Sequence, residues 1–347
     1  MIHNQDLLLT VAWENNSVVF IDQRKLPNKL VYVRCCEYKE VADMIRKLVV
    51  RGAPAIGVSA AFGLALAAHQ SNAKTAAELM TDLDNASKVL RATRPTAVNL
   101  FWALERVMGK AIHAKTVEEA KRAVLDESLK MAEEDIETNR KIGEHGMRLF
   151  KDGDIVLTHC NAGSLATVAY GTALGVVRAA KESGKRVSVI ATETRPVMQG
   201  SRLTAFELQH DGIDVSLIPD TAVGHMMATG AISRVIVGAD RVLHTGHVFN
   251  KIGTYQVAIL AERHKIPFYV AAPLSTFDFE SSPDDVTIEE RSVDEVIRVG
   301  KKRIAPKGVR IFNPAFDITP PELITAIITQ KGLLTPPFKM NLKALLG

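Results

Sequence analysis

From Gly153 onward, short apolar runs alternate with helix-length amphipathic stretches, and this alternation restricts the fold more than any other feature of the chain. The runs are DIVLTHC, RVSVIAT, DVSLIP, RVIVGAD and IPFYVAAP. Between them, helical periodicity covers Leu165 to Glu182, LTAFELQHDG, Thr221 to Ala231 and Tyr255 to His264. Strands separated by helices at this spacing need βαβ crossovers, and crossovers make a parallel sheet. The runs are almost continuously apolar, as expected of strands covered on both faces. A tail adds the run VRIFNP, a Pro320-Pro321 helix start and a C-terminal helix.

The first half follows a different pattern. Val18 to Ile21 and Leu30 to Cys35 are β-rich runs around a turn at Leu26-Pro27-Asn28, which predicts a hairpin. From Glu37 to Ala114 the period is helical. Pro54 falls near the start of one of these helices, where a missing N–H costs nothing. Val117 to Phe150 reads as one long connecting helix. The fold expected is therefore α/β, with a parallel-sheet C-terminal domain and a mostly helical N-terminal domain carrying a small antiparallel sheet. The domains are 1–122 and 123–347, with the boundary along 117–150. No internal repeat or low-complexity tract interrupts them.

Composition removes several function classes. Basic residues number 43 and acidic residues 39, for a net charge of +4. This is too small and too evenly spread for a nucleic-acid binder, and it suits a small anionic ligand. Cys35, Cys36 and Cys160 form no CxxC pair, which argues against structural zinc and fits a reducing cytoplasm. Cys35 and Cys36 are expected as small buried residues. The N-terminus lacks the basic region of a signal peptide. Ala53 to Ala68 is shorter than a membrane span and holds Pro54 and two glycines. His244 and His247 flank Thr245-Gly246, a turn rather than a metal-binding helix. No metal, nucleotide cofactor, nucleic acid or membrane partner is expected.

The polar residues gather at strand ends. In order they are His159-Cys160-Asn161, Glu193-Thr194-Arg195, Pro219-Asp220 and Gly238-Ala239-Asp240-Arg241. Open α/β sheets bind ligands outside the carboxyl ends of their strands, so four such ends in succession predict a site. Candidate anion donors lie elsewhere: Arg51-Gly52-Ala53 opens a helix, Arg94 stands at a helix end, Gln199-Gly200 follows the second cluster, and Asn250-Lys251 precedes a helix. No GxGxxG fingerprint is present. His159 and Cys160 are neighbours on a strand and should point apart, which disfavours a Cys–His nucleophile.

RGAPAIG (51–57), Arg94-Pro95-Thr96, HCNAGSLAT (159–167), ETRP (193–196), GADR (238–241) and NKIGTYQVA (250–258) together resemble the 5-methylthioribose-1-phosphate isomerase family, almost end to end. That family shares a superfamily with regulatory subunits of translation initiation factor 2B and with ribose-1,5-bisphosphate isomerase. The resemblance implies a Rossmann-like C-terminal domain, catalytic Cys160 and Asp240, and substrate binding by Arg51, Gly52, Ala53, Arg94, Gln199, Asn250 and Lys251. It also implies a cytoplasmic homodimer without cofactor, acting on a sugar phosphate in methionine salvage. Asp240, after an apolar strand, is expected to be the acid that opens the sugar ring, or else a carboxylate paired with Arg241 or Arg195. Cys160 is either the base of an enediolate route or a charge-steadying group in a hydride shift. The alternatives are ribose-1,5-bisphosphate isomerase and a non-catalytic factor 2B-like subunit.

Overall fold

A computed structural model describes residues 7–94 and 97–346, so Pro95 and Thr96 of the second motif lie outside the described residues. The chain divides into two compact units: residues 1–141 with 162–175, and residues 142–161 with 176–347.

The first unit opens with an antiparallel sheet, β1 (Val11–Glu14), β2 (Ser17–Ile21) and β3 (Tyr32–Cys35), in the order β1-β2-β3. The predicted hairpin is β2 and β3, with Val18 opposite Cys35. Cys35 is buried, whereas Cys36 lies past the strand end and is exposed, contrary to expectation. Helices α1 (Tyr38–Arg46), α2 (Ala53–Gln70), α3 (Ala76–Arg91), α4 (Val98–Ala111) and most of α5 (Val117–Gly146) follow. Helix α2 is the centre of this unit. Every residue from Ala55 to Ala68 is buried, so it has no polar face to offer solvent. By length and composition alone this helix could cross a membrane, a span longer than the sequence suggested. Here its surroundings are protein: Val41, Ile45, Leu79, Leu83, Leu100 and Leu104 belong to the same core.

The second unit is built on a seven-stranded sheet. Its strands are β4 (Ile155–Thr158), β5 (Ser188–Thr192), β6 (Val215–Ile218), β7 (Arg234–Val237), β10 (Phe268–Ala271), β15 (Ala326–Thr329) and β16 (Gly332–Leu334). The order is β16-β15-β10-β7-β4-β5-β6, parallel except for the β15–β16 pair. Helices α6 (Ala173–Glu182), α7 (Ala205–His210), α8 (Val223–Ala228) and α9 (Thr254–Arg263) fall between successive parallel strands. A four-stranded sheet of order β11-β8-β9-β14 is added by β8 (Arg241–Leu243), β9 (Val248–Lys251), β11 (Phe277–Asp278) and β14 (Phe316–Thr319). A two-stranded ribbon, β12 (Arg298–Val299) and β13 (Lys302–Arg303), follows α10 (Asp294–Ile297), and α11 (Phe338–Leu346) ends the chain.

Two expectations need correction. The helix expected from Leu165 begins only at Ala173; before it, Ser164–Ala166 form a single 3-10 turn and the chain runs irregularly. Strand β6 is not covered on both faces, because it is the sheet edge: Ser216 and Leu217 are exposed.

Candidate active site

Strand order locates the chemistry. From β4 the chain steps to β5 and β6 on one side, then returns to β7 on the other. The β4/β7 boundary is thus the topological switch point, where the loops leaving two adjacent strands diverge and open a crevice. Leu157 of β4 pairs with Val235 of β7, in parallel. Cys160 follows β4 and Asp240 follows β7, so both leave the same edge of neighbouring strands. Strands so paired run about 4.8 Å apart.

Cys160 is almost fully buried and sits at φ +67°, a left-handed conformation that is costly for a residue with a side chain. Its backbone is held at both ends. Its N–H donates to Thr194 Oγ1 at 2.9 Å, and its carbonyl accepts from Thr204 Oγ1 at 2.7 Å. Thr194 is also left-handed, at φ +61°. The Asp220 carboxylate clamps that turn, accepting from the N–H groups of Thr194 and Arg195 at 2.7 Å each. Asp220, at the third predicted strand end, is therefore a brace for the second.

The His159 ring does not serve Cys160. Its Nδ1 lies 2.7 Å from Thr192 Oγ1 and its Nε2 2.8 Å from the Ile252 carbonyl. A carbonyl can only accept, so Nε2 carries the proton and Nδ1 accepts from the threonine. Burial pushes this imidazole below its ordinary pKa, and the Lys251 ammonium adds to the effect, against the Ile252 carbonyl and Asp220. The ring is neutral at pH 7 and pins the segment carrying Asn250 and Lys251 to the β4 end.

Asp240 is half-buried, and its N–H donates to the Phe249 carbonyl at 2.9 Å, next to Asn250. Arg241 pairs with Asp278 at 2.9 Å, and Arg195 donates to the Pro196 and Val296 carbonyls. Asn250 is buried and donates to Thr254 Oγ1 at 3.0 Å. The Lys251 ammonium donates to the Ala315 carbonyl and lies 4.6 Å from the Phe316 ring centroid. Gln199 is buried, and its side-chain carbonyl has no hydrogen-bond partner among the described residues. Such an acceptor is costly unless something supplies a donor.

The two helix starts proposed as anion sites differ. The N-terminus of α9 is already occupied: Asp317 accepts from the N–H groups of Gly253 and Tyr255 at 2.7 and 3.1 Å. Burial lifts this carboxyl to about 6, against the pull of those two N–H groups and of Lys251. Helix α2 has no side-chain cap, and no acidic residue stands in its first turn. Gly52 starts it at φ +94°, and a Cβ there would lie 2.4 Å from the Ala166 backbone. Only glycine meets both conditions. Arg51 and Ala53 flank it. Arg94 precedes α4, and the Asn99 carbonyl in the first turn of α4 would be 2.9 Å from a Cβ on Gly57, so the start of α4 comes close to the first turns of α2.

Sequence reasoning missed Asp317, Thr204 and the ion pairs behind Thr204. Asp317 lies in β14, a strand the tail gave no sign of, and Thr204, expected in the first turn of a helix starting at Leu203, instead ends a turn of π-helix at Gly200–Thr204. Among the described residues, no group of three or more His, Cys, Asp or Glu is arranged to hold a metal ion.

A doubly wound α/β unit with a thiol and a carboxyl at its switch point defines a Rossmann-type protein equipped for polar chemistry on a small ligand. The chain belongs to the initiation factor 2 subunit family, whose sequence profile matches residues 49–336. A protein of Fervidobacterium nodosum named methylthioribose-1-phosphate isomerase is 54% identical over 97% of both chains. The crystal structure of 5-methylthioribose 1-phosphate isomerase from Pyrococcus horikoshii superimposes with a TM-score of 0.92 at 47% identity, covering 97% of this chain and 95% of that one. A structure from A. fulgidus, described as translation initiation factor eIF-2B subunit delta, gives 0.89 at 53% identity over 98% and 99%.

Proposed function

We propose that this protein is an aldose–ketose isomerase converting 5-methylthioribose 1-phosphate into 5-methylthioribulose 1-phosphate in methionine salvage. The observation that carries the reading is near-full-length identity to a protein named for this reaction, in a chain with Cys160 and Asp240 at the ends of paired strands.

The anomeric carbon of this substrate carries the phosphate, so the ring cannot open spontaneously to a free aldehyde. An acid must protonate the ring oxygen while the C1–O bond breaks. Asp240, half-buried after the apolar β7, takes that role. The C2–H bond then breaks, a C1–H bond forms, and the C2 hydroxyl loses its proton to become the ketone. Hydrogen travels either as hydride between the carbons or as a proton through an enediolate. Cys160 serves as the base in the second route and steadies charge in the first. Among first-unit residues, Arg51, Gly52, Ala53 and Arg94 are assigned to substrate, the uncapped start of α2 supporting the choice. In the second unit, Gln199, Asn250 and Lys251 are assigned, with the unmatched Gln199 carbonyl suited to a sugar hydroxyl. The protein works as a cytoplasmic homodimer without cofactor.

The A. fulgidus description favours a second reading, a non-catalytic factor subunit. Steady-state assay with methylthioribose 1-phosphate beside ribose 1,5-bisphosphate separates the possibilities. The methylthio sugar is expected to give a kcat/KM about tenfold higher or more, the worth of an apolar pocket over a charged group. Preference for the bisphosphate would reassign the substrate, and turnover of neither would leave the subunit reading.

A further inference from the structure

We infer that Arg178, Glu207, Asn161 and Thr204 form a directional relay that holds Cys160 in its left-handed conformation. The inference rests on the isomerase reading for its importance to turnover, but its geometry lies wholly within the second unit.

Glu207 is fully buried and Arg178 nearly so. Arg178 donates to Glu207 Oε2 at 2.8 Å, and its Nε donates to Asp211 Oδ2 at 2.7 Å. On its other oxygen, Glu207 Oε1 accepts from Asn161 Nδ2 at 2.7 Å. Asn161 Nδ2 also reaches Thr204 Oγ1 at 3.2 Å, and Thr204 Oγ1 donates to the Cys160 carbonyl at 2.7 Å.

Each bond fixes the direction of the next. Paired with a guanidinium, Glu207 is ionised and can only accept. It therefore selects the orientation of the Asn161 amide that turns NH₂ toward it. The same NH₂ then faces the Thr204 oxygen, which accepts it and has its proton left for the Cys160 carbonyl. The charge on Glu207 thus decides, two hydrogen bonds away, where the threonine hydroxyl points. Cys160 sits at φ +67°, a conformation that persists only where its surroundings enforce it. These four are positioning residues: they act through the Cys160 backbone and not on substrate.

Glu207→Gln is nearly isosteric but presents NH₂ to one of two donors. The Asn161 amide can answer by turning over, which places its oxygen against Thr204 Oγ1 and draws the hydroxyl away from Cys160. Thr204→Val removes that hydroxyl directly, without touching the ion pair. Both variants are expected to lower kcat about 100-fold with KM within about twofold of wild type, the scale of a slightly misplaced reacting group. The double variant should be no worse than the poorer single one, since the two changes cut one chain. Thr204→Ser should recover most of what Thr204→Val loses. Hydrogen exchange at the Cys160 amide should quicken about fivefold in both variants, roughly the loss of one net hydrogen bond, while β10 amides stay as protected as before.

Exchange needs no substrate. An inactive wild-type protein would therefore count against the isomerase reading while the exchange pattern still decides the relay. The relay is overturned if Thr204→Val keeps wild-type kcat, if the Cys160 amide exchanges unchanged, or if Glu207→Gln accelerates exchange uniformly across the sheet.

Discussion

At the scale of single residues, the chemistry depends on side chains held where they would not go unaided. Cys160 and Thr194 both occupy left-handed backbone at the ends of neighbouring strands. Gly52 meets a comparable demand by having no side chain. Gly52→Ala would strain a backbone at φ +94° and press on Ala166, so a loss of about 2–3 kcal/mol is expected from urea unfolding. Two carboxyls carry a pH signature. Asp135 accepts from the Val168 N–H at 2.7 Å, yet enclosure by the protein raises it to about 7, and burial lifts Asp317 to about 6. Both values exceed the ordinary 3.8, so the folded chain holds these protons more tightly than the unfolded one. Their stabilising contribution is complete below about pH 4 and disappears as pH rises through 6 and 7. Unfolding free energies at pH 5 and pH 8 should therefore differ less, in favour of the acid side, for an Asp135→Asn/Asp317→Asn double variant than for wild type. An unchanged difference would show that neither proton is bound more tightly in the fold.

At the scale of elements, the crevice follows from a strand order that returns from β6 to β7. The apolar runs and the polar residues at their ends were legible in the sequence because a strand covered on both faces has no other place for polar groups. What was not legible depends on contacts distant in sequence. Nothing around Asp317 announces that it caps α9 some sixty residues earlier, and nothing in AFELQH announces that Glu207 is buried against Arg178. The helix expected from Leu165 failed for a related reason: Ser164–Val168 spends its backbone groups on Thr10, Gln23 and Asp135, far away in the chain. The π-helical turn makes its own test. A Cβ on Gly200 would lie 1.7 Å from the Thr192 carbonyl, so Gly200→Ala must displace the turn that carries Thr204. A stability loss of about 3 kcal/mol and a fall in kcat are expected, read by denaturant titration and assay. A variant of unchanged stability would contradict the packing described.

At the scale of the whole molecule, each unit has its own apolar core, and the family places the chain among proteins with two kinds of name, isomerase and initiation-factor subunit. Sedimentation equilibrium is expected to return twice the chain mass, as the family resemblance implies; a single-chain mass would remove the dimer. Isomerisation in deuterated water separates the two hydrogen routes: deuterium at C1 of the product supports the enediolate, and its absence favours hydride transfer. The account as a whole depends on a thiol and a carboxyl leaving adjacent strands at one switch point. Its most direct measurement is turnover of methylthioribose 1-phosphate by Cys160→Ala and Asp240→Asn beside wild type, with folding checked by unfolding midpoints. Each variant is expected to lose about 10³-fold or more in kcat while staying folded. Near-normal turnover by either would contradict the assignment.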